Sequence, residues 1–273
     1  GIPIVRTIKE GLATNKITKV YGILNGTCNY ILSQMEKTKD SFKNVLKIAQ
    51  KLGYAEPGNP KLDLNGYDAL AKVKILSALA FNCKISKTQS LMEGIEKIEA
   101  TDFDIVEKLN LRIKLLGITE IINNKIFERV HPCLVSRDSY IGNVTDVMNA
   151  VILEGKPIGE SVMQGEGAGP GPTTSALMSD LLSILRGNIK NPFGVKVSKL
   201  KSLKAYNLKT KINDIFGKLN KNVPTKYQGM DRIKARNVII QDLKQYGNFI
   251  KIEKINHTVP YGDRSSSIIE PYL

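Results

Sequence analysis

Between Gly66 and Phe81 runs a helical stretch that is apolar on almost every side beyond Lys74, with Val73, Ile75, Leu76, Leu79 and Ala80 spread around it. Such a helix is expected to lie buried rather than on the surface. The rest of the chain must therefore supply elements that cover it. At 273 residues there is enough chain to bury a sizeable core, in one large domain or two ordinary ones. No apolar run is long enough to cross a membrane.

Periodicity predicts the covering elements. Residues 5–14 read as a short helix end with Ile8 and Leu12 on one face, and Ile17 to Leu24 as a strand. The strand ends in the turn Asn25-Gly26-Thr27, and a helix follows from Cys28 through Met35. Ser41-Phe42 starts another helix, with Val45, Leu46, Ala49 and Leu52 at helical spacing, and Gly58-Asn59-Pro60 is loop chemistry. Thr101-Asp102 caps a helix whose apolar positions include Ile105, Leu109 and Leu111. Strands are expected over Arg112 to Ile118, Phe127 to Val135 and Val144 to Asn149, with a hairpin around Gly155-Lys156-Pro157. A Gly-rich turn from Gly165 to Gly171 then leads into a helix from Pro172 to Leu185. Strands interleaved with long helices predict an α/β or α+β domain, a mixed sheet covered by helices. Its expected extent is residues 1–205, followed by a basic segment, 206–273, of helix and short strands.

Charge and cysteine usage limit the functions available. The net charge is +14, but seventeen Lys and Arg against six Asp and Glu lie from Lys190 onward. That excess of 11 leaves only +3 for the first 189 residues. A nucleic-acid footprint could therefore reside only in the C-terminal part. There the charges are scattered, and the tyrosines and Phe249 show no spacing suited to stacking bases. A solvated surface is the expected reading, and tRNA or other nucleic-acid binding through residues 190–273 is the alternative. Cys28, Cys83 and Cys133 are far apart, make no metal spacing or disulfide framework, and suit a reducing cytoplasm. The start, Gly1-Ile2-Pro3-Ile4, shows neither methionine nor a leader, and is expected to begin part-way through a longer protein.

The buried helix carries chemistry at its polar end. Asp68 and Lys72 are four apart, so their side chains share a face. A solvated i,i+4 ion pair worth roughly 0.3–0.5 kcal/mol would account for a random pair of this kind. Here the pair sits where a largely apolar helix meets the polar loop that holds Glu56 and Asp63. One ammonium and three carboxylates around a single pocket cost structure and suit a zwitterion. A Lys that loses part of its hydration can supply a proton to a carbonyl oxygen as it becomes an alkoxide, with Glu56 and Asp68 as candidates to orient the Lys or to hold a substrate ammonium.

The segment from Gly53 to Lys72 resembles that of homoserine dehydrogenases. So do Asn25-Gly26-Thr27-Cys28-Asn29-Tyr30-Ile31-Leu32, Arg112-Ile113-Lys114-Leu115-Leu116-Gly117, Arg129-Val130-His131-Pro132 and Gly165-Glu166-Gly167-Ala168-Gly169. These motifs fall in family order over about residues 1 to 200. The resemblance implies an oxidoreductase of L-homoserine and L-aspartate 4-semialdehyde that uses NADP or NAD and forms a homodimer. It implies that Lys72 gives and takes the proton, and that Glu56 and Asp68 bind the amino acid. Asp63 lies in the implied site, Tyr54 and Thr27 beside the substrate, and Gly53 near the nicotinamide. Between Glu56 and Asp63 this chain has one residue more than the family pattern, so the loop is expected to hold Glu56 slightly differently. Gly167 and Gly169 are implied to return to the cofactor, on a turn that lacks a dinucleotide-binding strand, spacing and acid. Pro172 would leave amides free at the helix start for an anion. Ile2 is implied to offer a backbone carbonyl to a monovalent cation. His131, alone in a strand, is given no role. The family's dinucleotide-binding domain, with a second active-site lysine, would sit before Gly1, so an isolated chain is expected to be inactive.

The C-terminal segment reads differently. Asn222-Val223-Pro224-Thr225-Lys226-Tyr227-Gln228-Gly229-Met230-Asp231-Arg232, Val259-Pro260-Tyr261-Gly262-Asp263-Arg264-Ser265 and Ile269-Glu270-Pro271-Tyr272-Leu273 resemble a stretch of valyl-tRNA synthetase. The resemblance covers about residues 212–273, without either ATP-site signature, and carries no function. A join of two gene fragments near Lys209 to Asn213 is the expectation that follows.

Overall fold

In a computed structural model, the described residues are 1–206 apart from 59, 88, 89 and 189, together with 226, 238, 241, 242 and 245. The chain divides into two compact units, Gly1–Tyr206 and Asn207–Leu273. In the second, Lys226 Nζ lies 2.6 Å from the buried Asp242 carboxylate. The segments that resemble a synthetase, the expected junction and the candidate nucleic-acid surface beyond Tyr206 lie almost wholly outside the described residues.

The first unit is built on one six-stranded mixed sheet in the order β2-β4-β3-β1-β5-β6. The strands are β1 (Lys16–Ile23), β2 (Leu91–Met92), β3 (Leu111–Ile122), β4 (Lys125–Ser136), β5 (Met148–Lys156) and β6 (Gly159–Glu166). Only β2 and β4 run parallel, and every other pairing is antiparallel. The helices are α1 (Ile4–Arg6), which continues into a π-helical turn over Thr7–Gly11, α2 (Gly26–Thr38), α3 (Phe42–Lys51), α4 (Lys61–Leu64), α5 (Tyr67–Phe81), α6 (Ala100–Lys108) and α7 (Pro170–Leu185). The expected helix-covered mixed sheet is present.

Local chemistry explains most of the element ends. Asn25 caps α2 by accepting from Cys28 N at 2.9 Å, so the helix begins at Gly26 rather than Cys28 and runs on to Thr38. Ser41 caps α3 as its position suggests. For α6 the cap is Glu99, and Asp102 closes the capping box from inside the helix; Thr101 is already helical. The strands β3 and β4 extend toward each other to the Asn123-Asn124 turn, where both residues take positive φ, as a tight hairpin requires. The expected strand over Val144 to Asn149 starts only at Met148. The Val144 carbonyl serves Lys114 and Asn29, and Asp146 is left-handed, so residues 144–147 cannot join the ladder.

Two apolar clusters flank the sheet. On one face, Val20, Leu115, Val130, Val151 and Leu153 pack with Ile31, Met35, Val45, Val73, Leu76 and Phe103 of α2, α3, α5 and α6. On the other, Ile23, Leu116, Ile118, Ala150 and Ile152 meet Ile141 and Val144 of the β4–β5 connection. Burial of α5 is one-sided rather than complete. Val73, Leu76, Ala78 and Leu79 are buried, whereas Tyr67 and Ile75 are 52% and 46% exposed. That flank, which also carries Lys72, is not covered by any described element. Among the described residues no helix is long and apolar enough to cross a membrane.

Lys114 is buried between the clusters at 1% exposure. Its ammonium donates to Val144 O at 2.6 Å and to Asn29 Oδ1 at 3.2 Å. Burial pulls its pKa down to about 8, against a smaller opposing pull from the Glu36 carboxylate. Between that value and the ordinary lysine range, the unfolded chain binds a proton that the folded chain does not, so this group adds stability as pH rises. Denaturant unfolding of wild type and Lys114→Met should therefore show their stability difference moving in favour of wild type, by on the order of 2 kcal/mol, from pH 7.5 to 10. A difference that stays flat over that range would remove Lys114 as the titrating group.

Candidate active site

The sheet delivers the site through the end of β1. Leu24 and Asn25 follow that strand directly, and α2 starts at the next residue, so their polar groups are fixed by two rigid elements. A second arm comes from α4 and α5. Gly66, at φ +84°, joins them in a left-handed turn that favours glycine, and its absent Cβ would stand 3.0 Å from Val130 Cγ1. The reversal brings Asp63, near the end of α4, and Asp68, in the first turn of α5, onto one amide. Asn25 Nδ2 donates to Asp63 Oδ1 at 2.9 Å and to Asp68 Oδ2 at 3.0 Å.

Lys72 completes the cluster. Its ammonium donates to Asp68 Oδ2 at 2.7 Å and to Leu24 O at 3.0 Å. The Lys72 side chain is 49% exposed, so the partial desolvation expected of it is not supplied by the described residues. As a half-exposed ion pair it contributes little to stability. Behind the cluster, Cys28 Sγ donates to Asp63 O at 3.3 Å. Burial and then the Asp63 and Asp68 carboxylates push this thiol far up, which makes it an inert core group.

The loop after α3 forms the rim. Thr27 Oγ1 donates to Tyr54 O at 2.7 Å, and the Tyr54 ring packs on Tyr30 at 4.8 Å between centroids. Glu56 is exposed; Gln50 donates to its backbone carbonyl, and its carboxylate makes no hydrogen bond or ion pair among the described residues. Thus Asp63, Asp68 and Lys72 are joined in one hydrogen-bonded cluster and Thr27 and Tyr54 lie beside each other, while Glu56 is outside the network. Gly53, at φ +77°, has open space where a Cβ would stand.

The Gly-rich turn differs from the expectation in two ways. A strand, β6, does precede it, but β6 pairs antiparallel with β5 and so makes no βαβ unit. The helix begins at Pro170, which places Pro170 and Pro172 in its first turn, and Thr173 N is already bonded to Gly169 O. Two of the amides that could have faced an anion therefore do not exist. Gly167 has a packing reason of its own: a Cβ there would collide with the Asn149 amide. With that amide turned to satisfy both ends, Asn149 donates to Ile23 O and accepts from Gly167 N, each at 3.2 Å. Gly169, at φ +109°, is the N-cap of α7.

Ile2 O accepts from Ile4 N at 2.8 Å. Among the described residues no group of three His, Cys, Asp or Glu could hold a metal. His131 Nδ1 lies 2.9 Å from Pro132 O, and burial lowers its pKa. Asn25 was not singled out in the sequence as a site residue. Its place after a strand and before a helix signals a cap, but nothing in the sequence signals the two carboxylates that converge on it.

This architecture is a mixed sheet covered on one face by helices, with no dinucleotide-binding βαβ unit among its described residues. The chain belongs to the homoserine dehydrogenase family, whose model matches residues 3–182. It is 46% identical to the homoserine dehydrogenase of Helicobacter pylori over 186 residues, 68% of this chain and 44% of that protein. The Neisseria gonorrhoeae enzyme is 45% identical over 68% of this chain and 42% of its own length. The chain thus spans less than half the length of these curated relatives. Among solved structures, the Thiobacillus denitrificans homoserine dehydrogenase superposes with a TM-score of 0.71 at 39% identity, over 75% of this chain and 49% of that one. A hyperthermophilic archaeal homoserine dehydrogenase mutant, solved in complex with NADPH, shares the fold at 24% identity, with a TM-score of 0.57 over 68% of this chain and 53% of that one.

The rim is tethered through one hydroxyl. Thr27→Val removes the bond to Tyr54 O while keeping side-chain shape, and should lower unfolding free energy by about 1 kcal/mol in denaturant titration. An unchanged midpoint and slope would show that the loop is held by other contacts.

Proposed function

We propose that residues 1–205 supply the substrate-binding, proton-transfer and dimerisation part of an enzyme that interconverts L-homoserine and L-aspartate 4-semialdehyde in threonine and methionine biosynthesis. The observation that carries this reading is the Lys72 ammonium, held by Asp68 and Leu24 O on an exposed flank of α5. Its third N–H is left for a substrate oxygen. In the reductive direction Lys72 gives a proton to the aldehyde oxygen as it becomes an alkoxide; in the oxidative direction the neutral amine takes the hydroxyl proton. Glu56, with a carboxylate that has no partner among the described residues, is suited to the substrate ammonium, and Asp63 and Asp68 add negative charge to the site. Thr27 and Tyr54 shape the rim.

NADP or NAD, when bound, supplies or takes the hydride. Gly53, open above its α-carbon, fits a close approach of the nicotinamide, and Gly169 fits at the start of α7, whereas Gly167 is accounted for by Asn149. A dinucleotide-binding region beyond the described residues is needed for turnover, and the uncovered flank with Lys72, Tyr67 and Ile75 is where it would exclude water. Residues 1–205 alone are therefore proposed to bind substrate without turning it over. The sheet face that no described helix covers supports a homodimer, and three free thiols support a cytoplasmic location.

Calorimetric titration with L-homoserine tests the binding roles. Glu56→Ala should weaken binding at least about tenfold, the scale of one lost charge-assisted hydrogen bond, and leave thermal stability unchanged because the side chain has no partner to lose. Lys72→Ala should change affinity less. In the enzyme completed with a dinucleotide-binding domain it should lower kcat by about 10²–10⁴. Wild-type kcat in that variant would reject the proton-transfer role.

A further inference from the structure

We propose that Asn25 is a positioning residue that sets the Lys72–Asp68 pair for proton transfer; this rests on the catalytic reading of Lys72 above. Asn25 is 7% exposed, and every polar atom of its side chain is committed. Its Oδ1 accepts from Cys28 N, and its Nδ2 reaches both Asp63 Oδ1 and Asp68 Oδ2. The amide can face only one way. Turned over, its nitrogen would oppose the Cys28 N–H and its oxygen would face two carboxylates.

Two like charges converge on this one donor, and only the second of them is paired with Lys72. Without the Asn25 N–H groups, Asp63 and Asp68 would repel each other across the space the amide fills. Asp68 would be free to rotate away from Lys72. The neighbouring Leu24 carbonyl fixes the ammonium from the other side. A single dipeptide, Leu24-Asn25, therefore holds both members of the pair: the lysine through a backbone acceptor, the carboxylate through a side-chain donor. Because the dipeptide is pinned between β1 and α2, the direction of the third Lys72 N–H is set by the sheet rather than by the flexible four-carbon stem. Pre-orientation of this kind acts on the transition state more than on folding.

Asn25→Ser separates the two roles of the side chain. Serine caps helices about as well as asparagine but is too short to bridge the carboxylates. In the full chain, Asn25→Ser should keep the melting temperature close to wild type. It should raise acetylation of Lys72 by acetic anhydride several-fold relative to the exposed Lys61, as the ion pair loosens. It should also weaken L-homoserine binding. Asn25→Ala, which loses the cap as well, should show the same labelling change together with a lower melting temperature. If Lys72 labelling in Asn25→Ser matches wild type, the proposal is overturned whatever happens to binding. A labelling change in a chain whose wild type fails to bind homoserine would uphold the positioning role and count against the proposed substrate. Unchanged labelling in both variants, with a lower melting temperature only in Asn25→Ala, would reduce Asn25 to a helix cap.

Discussion

The site depends on one amide. At the point where β1 gives way to α2, the Asn25 side chain ends a helix with its oxygen and gathers two carboxylates with its nitrogen. Everything nearby is arranged around that commitment. The left-handed Gly66 turn swings α5 back toward α4, Cys28 hydrogen-bonds behind Asp63, and Lys72 spans from Asp68 to the carbonyl that precedes Asn25. A buried polar group is tolerated when its hydrogen bonds are made, and here those bonds set the geometry of the site.

Around this node the sheet serves as a rigid frame with unequal faces. Helices α2, α3, α5 and α6 bury one face, while the β4–β5 connection covers part of the other through Ile141 and Val144. That connection is itself fastened by buried and half-buried polar groups. Lys114 and Asn29 take the Val144 carbonyl, and Arg112 and Arg137 share Glu36. A buried ammonium is expensive. Its two acceptors satisfy two of its N–H groups and tie the connection to α2, the helix that starts at the site.

The described residues also leave apolar surface uncovered. Along α7, Leu177, Ile184 and Leu185 are 66%, 62% and 73% exposed, and Ile75 stands out on the same flank of α5 as Lys72. These positions agree with a module that spans less than half of its relatives' length. The proposed proton donor, Lys72, stands on an open flank, and exclusion of water is what would strengthen the electrostatics of such a site.

The sequence by itself determined the elements and the chemical inventory. Periodicity located α3, α5, β1 and β3, the turn residues marked the β5–β6 hairpin, and the spacing of Asp68 and Lys72 put an acid and an amine on one helical face, because local pattern and side-chain direction are properties of short segments. It misjudged α5 as buried all round, since hydrophobicity says that a surface wants cover and not whether a neighbour provides it. It also placed a strand at 144–147, where a buried lysine claims the carbonyl that the ladder needed. The tertiary structure alone decided that Asn25, Asp63 and Asp68 meet, because residues 38 and 43 positions apart are brought together only by the path of the chain through β1, α2, α4 and the Gly66 turn. Proximity of that kind is a consequence of packing, and no local signal encodes it.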